Sequence, residues 1–403
     1  MSASTPNDLI YLDNAATSWP KPPQVAEASA RAYSILLANA GRSGHKPSLE
    51  AARFVFEIRE RLARLFGIAD SRNLVFTRGT TEGINLVLKG FLHPGDTVAL
   101  SPMEHNAAVR PLAGLESRIG VRSVTLPGDR YGRIDVATAA GMFPEPPRLV
   151  CVSAASNVNG TVQDIAALRR TFPLSAILVD AAQTAGVTEI NIDRDGIDFL
   201  CASAHKGMLG PTGIGFCYLS PKHDIPPLIE GGTGSSSADS KQPTTRPDRY
   251  ESGTQNLHGM HALSGALEHL DKNGLCGEHK KALTRQILKG ISDVRTIHSH
   301  SPDDGTALHI SMTVDGIPPD MAARILEEEH GILCRPGIHC SPMSHRHLGT
   351  FPQGTLRLSP GWATTEEDIH RTVEALIDIA SRDTLRVQPE TDAPLGQAQG
   401  CMR

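Results

Sequence analysis

Between about residue 50 and residue 220, short apolar runs alternate with helix-like stretches, and this rhythm constrains the fold more than any other feature. The runs at 73–77 (NLVFT), 97–100 (TVAL), 148–153 (RLVCVS), 176–180 (AILVD), 198–202 (DFLCA) and 215–219 (GFCYL) read as short buried strands. Helical stretches at 49–66, 81–91 and 165–171 lie between several of them. Alternation of this kind predicts an α/β fold with a mostly parallel sheet covered by helices.

A second unit is expected, because 403 residues exceed the roughly 250–300 at which single cores stop growing. Helix-like 260–293 leads to a strand at 308–313, a helix near 320–330, a strand near 354–358 and a final helix. Thr364 and Glu367 open that last helix as a capping box. Residues 231–256 are rich in Gly, Ser, Pro and Asp and read as a loop. The polar, Pro/Gly-rich tail after about 386 is expected to be loosely ordered.

The balance of 39 basic against 44 acidic residues leaves no positive excess to neutralise phosphates, which argues against a nucleic-acid partner. No apolar run approaches the ~20 residues of a membrane span. The start, MSASTPNDLIYLD, lacks the basic and apolar regions of a signal peptide. Seven scattered cysteines without a CxxC pair weigh against a zinc ribbon or a disulfide framework and point to the cytoplasm. Cys151, Cys201 and Cys217 fall within strand-like runs and are expected to be buried as small hydrophobes.

The polar residues that end the strands differ in kind. After NLVFT comes RGTTEG, where a Gly-Thr-Thr turn opening a helix offers backbone N–H groups, the hydroxyls of Thr80 and Thr81 and the positive helix end to a phosphate. The next strands present His105, Asn157, Asp180 with Gln183, and then Ser203, His205 and Lys206. Each has a plain alternative: Lys206 as a surface lysine on a turn, Asp180 as a helix cap, His105 as a satisfied loop histidine. Together at consecutive strand ends, where α/β folds bind ligands, they supply a phosphate cup, an imidazole, an amide, a carboxylate and an amine. That set suits a phosphorylated pyridine aldehyde, with the lysine condensing on it, the carboxylate holding its ring nitrogen protonated and the histidine stacking.

YLDNAATSWPKP, FTRGTTEGINL, SPMEHNA, SNVNGT, VDAAQ, SAHKGMLGPTGIG, YESGTQN and RPGIHC, in this order, resemble the class V aminotransferase group of fold-type I pyridoxal-phosphate enzymes. Within it the chain is most similar to the cysteine desulfurases and selenocysteine lyases, from about Tyr11 to Ile379. The resemblance implies a large cofactor domain at 21–262 with a mostly parallel seven-stranded sheet. It implies a smaller α+β domain at 263–386, a segment 1–20 packed on that domain, and a flexible tail at 387–403. It implies pyridoxal 5′-phosphate carried on Lys206, Asp180 at the ring nitrogen, Gln183 at the ring hydroxyl, His105 stacked, and Asn157 reaching both cofactor and substrate. Thr81, Ser203 and His205 would hold the phosphate, with Thr80 helping through its backbone. Thr254 matches a threonine lent to the neighbouring subunit, so a homodimer is implied.

The stretch LCRPGIHCSPMSHRHLG narrows the chemistry. Cys340 lies in an expected loop, where Arg335 and His339 would favour its thiolate; the plain alternative is a loop thiol without consequence. Arg335, Gly337, His339 and Cys340 match the family's R-x-G-x-H-C motif, whose cysteine becomes a persulfide; Arg335 and His339 would line the substrate site. Arg357 matches the arginine that clamps the substrate carboxylate, a task suited to its planar fork. Sixteen residues separate Cys340 from Arg357, as in the second, short-loop desulfurase group, which often uses a protein acceptor for the sulfur. Ile338 stands where the family usually has a second histidine. His345, His347 and a thiol lack regular spacing and a fourth ligand, so no metal is expected. L-Cysteine and L-selenocysteine both fit as substrates. A selenocysteine lyase, an aminotransferase, another carbon–sulfur lyase and a non-catalytic scaffold stay open as alternatives.

Overall fold

The computed structural model describes residues 9–41, 43–235 and 238–382. The tail expected at 387–403, Cys401 included, lies outside them. Strands are β1 (Ile10–Tyr11), β2 (Leu74–Thr77), β3 (Thr97–Leu100), β4 (Arg122–Thr125), β5 (Leu149–Ser153), β6 (Ala176–Asp180), β7 (Phe199–Ser203) and β8 (Gly215–Leu219). They are followed by β9 (Ile297–Ser299), β10 (Ile310–Val314), β11 (Ile332–Leu333), β12 (Arg335–Gly337) and β13 (Thr355–Leu358).

Seven of these form one sheet in the order β2-β8-β7-β6-β5-β3-β4, parallel except for β8, which runs against both neighbours. The mostly parallel sheet expected from the alternation is therefore present. Its strands read as unbroken apolar runs because helices cover both faces. Leu149, Cys151, Leu178, Phe199, Cys201 and Cys217 pack on one face; Val150, Val152, Ile177, Val179, Leu200 and Ala202 pack on the other. The three strand cysteines are buried, as expected. Because β2, β3, β5, β6 and β7 point the same way, their C-terminal ends open on one edge.

The second sheet, β12-β13-β10-β9, is antiparallel. Leu283, Ile310, Met312, Leu326, Leu356 and Leu376 form its core with helices Gly277–Ile291, Pro319–His330 and Glu366–Ala380. Ile10 and Leu12 join that core, and β1 pairs in parallel with β11.

Three expectations need correcting. The single helical stretch at 260–293 is two helices, Leu257–Asn273 and Gly277–Ile291, parted at Gly274, whose φ of +76° is a left-handed conformation glycine tolerates. The boundary placed at 263 falls inside the first of these. Met260, Leu263, Ala266, Leu267 and Leu270 all sit in the large sheet's core, while the second core takes up the chain again at Leu283. The final helix is capped one residue later, by Thr365 with Asp368, because the Thr364 hydroxyl is occupied in accepting from Gly361 N at 2.8 Å.

A buried ion pair fastens helix Lys46–Leu65 to β2 and to the loop that carries Thr254. Arg59 meets both oxygens of Glu251 at 2.7 and 2.8 Å, and Glu251 also accepts from Phe76 N at 2.7 Å. Glu251→Gln leaves the guanidinium buried without its counter-charge. We expect it to lower unfolding free energy by about 3 kcal/mol in urea titration; a loss under about 1 kcal/mol would show the pair to be dispensable.

Candidate active site

The C-terminal edge of the large sheet holds a cleft lined by Thr80, Thr81, His105, Asn157, Asp180, Gln183, Ser203, His205 and Lys206, so the strand-end residues singled out in the sequence do meet. Lys206 follows β7 on a tight turn. That turn packs against the loop after Asp180 so closely that a Cβ on Gly207 would lie 2.5 Å from Ala185 O, and one on Gly186 2.4 Å from Gly207 O. Glycine at both positions lets the two backbones touch and brings the lysine towards Asp180.

Burial lowers the pKa of Lys206 to about 8, with Arg357 and Arg335 pushing the same way and Asp180 and Cys340 opposing. Asp180 is buried, and its Oδ1 accepts from Ala182 N at 2.8 Å. Burial raises its pKa, against the pull of Ala182 N–H and of Lys206. A carboxyl held this way favours a cationic partner. His105 caps helix Asn106–Ile119, and its Nδ1 accepts from Ala107 N at 3.0 Å, which places the ring proton on Nε2. Burial, then Lys206, Arg335 and Arg110, lowers its pKa to about 4, so it is a neutral flat ring at neutral pH.

At the start of helix Thr80–Phe91 the Ser203 hydroxyl accepts from Thr80 N at 2.8 Å and bonds the Thr80 hydroxyl at 2.8 Å. The turn lies flat on the sheet: a Cβ on Gly215 would stand 2.6 Å from Gly79 Cα. Beside it His205 Nδ1 is buried without a partner. Gln183 donates from Nε2 to Ala15 O at 3.0 Å. Below the cleft lies Glu104, which sequence reasoning missed. It is fully buried, accepts from Ser153 N at 2.7 Å, and has a pKa raised to about 7, chiefly by burial.

Arg357 lies on β13 with 1% exposure. It donates to Asn157 O at 2.7 Å and to Asp13 Oδ1 at 2.6 Å, while its Nε is buried and unpartnered. Arg335 stands opposite it on β12. Cys340 is exposed, and Arg335 Nη2 lies 3.9 Å from its sulfur. His339 departs from expectation. Its ring turns inward, with Nε2 3.0 Å from Arg335 O and Nδ1 3.4 Å from His345 Nε2. Burial, then Arg357, drives its pKa down to about 2, so it brings no positive charge to the thiol. Arg335 supplies that charge. Thr254 is exposed and lines a hollow with Phe76, Tyr250 and Met260 that Lys206 of its own chain does not line. Among the described residues no group of three or more His, Cys, Asp or Glu is placed to hold a metal ion.

The family model for class-V aminotransferases matches residues 10–372. The chain belongs to that family. A relative described as a probable cysteine desulfurase, from Methanothermobacter thermautotrophicus, is 32% identical over 93% of this chain and 95% of its own. A cysteine desulfurase from Salmonella agona is 31% identical over 92% of this chain and 93% of its own. The solved apo structure of a cysteine desulfurase from Thermococcus onnurineus superposes with a TM-score of 0.87 at 30% identity, covering 93% of this chain and 95% of that one. In this class-V member the segment 11–21, which sequence reasoning left without a site role, also holds the cleft. Thr17 Oγ1, Ser18 N, Ser18 Oγ and Lys21 Nζ all donate to the carbonyl of His205 at 2.9–3.1 Å.

The lowered pKa of Lys206 makes a stability prediction. Below about pH 8 the amine is protonated in both folded and unfolded chains, and the folded state bears the full cost of burying it. Between about 8 and the ordinary lysine value of 10.5 the folded amine loses its proton first, so the cost fades. Lys206→Met should therefore stabilise the cofactor-free chain at pH 7 by on the order of 2 kcal/mol, with the gain gone by about pH 10.5. A pH-independent difference in urea midpoints would contradict this.

Proposed function

We propose that this class-V chain is a pyridoxal-5′-phosphate-dependent cysteine desulfurase that releases L-alanine from L-cysteine and passes the sulfur through Cys340 to an acceptor. One observation carries the reading: Asn157, which lines the cleft with Lys206, also bonds the chain on both sides of Cys340, an exposed thiol with a guanidinium 3.9 Å away, so a nucleophile stands at the lysine's site. The relatives named above support it.

The donor set fits the cofactor. Ser203, Thr80, Thr81 and the unpartnered His205 nitrogen would hold its phosphate, Asp180 its ring nitrogen, Gln183 its hydroxyl, and neutral His105 would cover its ring. When bound, the cofactor supplies an electron sink for charge developing at Cα. The chain's residues do the rest. Arg357 holds the substrate carboxylate, and Asn157 lies beside it. Lys206, with a pKa of about 8, moves the Cα proton near neutral pH. Cys340 takes the sulfur: the Cβ–S bond breaks as an S–S bond forms, and Cβ gains a proton to complete alanine. The balance is L-cysteine plus thiol giving L-alanine plus Cys340 persulfide.

A homodimer completes this reading. Thr254 is exposed and does not line its own Lys206 cleft, as a residue lent to a partner's phosphate would not, and Tyr33, Leu36 and Phe56 are exposed apolar side chains for a partner to cover. The reading also includes a protein acceptor, with the sulfur feeding iron–sulfur cluster assembly, and a cytoplasmic setting. Cys151, Cys201, Cys217, Cys276, Cys334 and Cys340 are free thiols, in keeping with a reducing compartment. Among the described residues no helix is long and apolar enough to cross a membrane.

Incubation with L-cysteine and with L-selenocysteine, measuring alanine against pyruvate, tests the function. Wild type should release alanine from both. Cys340→Ala should lose more than about a hundredfold with L-cysteine and keep substantial release from L-selenocysteine, whose selenium leaves without help. Full desulfurase activity in Cys340→Ala, or pyruvate as the product, would contradict the reading.

A further inference from the structure

Cys340 sits in a turn that ordinary residues avoid. His339 and Cys340 have φ of +50° and +57°, a left-handed pair with no glycine in it. For L-residues with a Cβ this backbone is unfavourable and persists only where the surroundings hold it. The holding contacts are specific. Asn157 Nδ2 donates to His339 O at 2.7 Å, and Ser341 Oγ donates to Asn157 Oδ1 at 2.7 Å, so one carboxamide grips the chain on both flanks of the thiol. Asn106 N, at the start of the helix capped by His105, donates to Cys340 O at 2.9 Å, and Ser341 N closes the turn on Ile338 O at 2.8 Å. Asn157 and Ser341 are both buried, so water replaces these bonds poorly.

The same residue faces the other way as well. Its backbone carbonyl accepts from Arg357 Nη1 at 2.7 Å. The geometry points to Asn157 as the positioning residue of Cys340: its carboxamide latches the strained turn that presents the thiol, and its carbonyl ties that latch to the arginine that receives the substrate carboxylate. Resting on the reading of Cys340 as sulfur acceptor, this assigns the Asn157 side chain to the thiol turn ahead of the cofactor. Without the latch the turn relaxes out of its left-handed pair, and the sulfur no longer waits at a fixed place.

The test uses the full chain, with and without pyridoxal phosphate, in three variants: Asn157→Ala, Asn157→Asp and Ser341→Ala. Asn157→Asp keeps the acceptor for Ser341 but sets an oxygen against His339 O. Hydrogen exchange at the Ser341 amide and the rate of Cys340 alkylation by iodoacetamide are read in both forms. Loss of a buried hydrogen bond should speed that exchange by roughly tenfold, and alkylation should change in all three variants whether or not cofactor is present. In the loaded protein Ser341→Ala should lower kcat for L-cysteine several-fold with KM within about twofold. Exchange and alkylation within twofold of wild type in the folded variants would overturn the proposal. If instead the turn loosens as expected but no persulfide forms on wild-type Cys340, the latch stands and the sulfur-acceptor reading falls.

Discussion

A guanidinium with 1% of its surface exposed is costly to bury without partners, and the partners that Arg357 takes hold the site together. Burial lowers its pKa and Asp13 opposes that loss. Asp13 comes from the segment that follows β1, Asn157 from the loop after β5, and Arg357 from β13 of the smaller sheet. Three stretches of chain therefore meet at one cation. From Asn157 the contacts run on to both flanks of Cys340, and the Asp13 segment continues to the His205 carbonyl beside Lys206. The thiol, the amine and the Arg357 guanidinium are set relative to one another through this junction rather than by any single element.

Low local polarity then decides what each group can do. His105 is neutral because burial and nearby cations remove its proton, which leaves a flat ring. His339 is neutral for a related reason and serves as a structural prop of the thiol turn. Asp180, at the end of a buried strand, is left with an appetite for a positive partner that the cleft otherwise meets only through Lys206. Glu104 adds a second buried carboxyl below, satisfied by Ser101 and Ser153 and so kept out of the cleft chemistry.

The strand ends were legible because position alone fixes them: a polar residue directly after a doubly buried parallel strand must emerge on the sheet's C-terminal edge. Asp180 closes β6 itself, and Lys206, Asn157 and His105 follow their strands by three, four and five residues, near enough to that edge to share one cleft. What depended on contacts distant in sequence was not legible. The Asp13–Arg357 pair joins residues 344 positions apart. His339 was expected to face the thiol and misses for a local reason, since its Nε2 lies 3.0 Å from Arg335 O and its Nδ1 3.4 Å from His345 Nε2, which turns the ring inward. The edge strand β4 escaped notice because RSVT is half-exposed and carries no apolar run. Helix Asn106–Ile119 was hidden by Pro111. The last helix offered two overlapping capping boxes, and the bond from Gly361 N to Thr364 decides between them.

The central claim is that these strand ends form one cofactor site built around the amine of Lys206. Loading the chain with pyridoxal phosphate, reducing it with borohydride and mapping the labelled peptide measures this directly. A single adduct on Lys206, in the peptide that contains SAHKGMLG, is the expected result. An adduct on another lysine, such as half-buried Lys21 or buried Lys280, would contradict it.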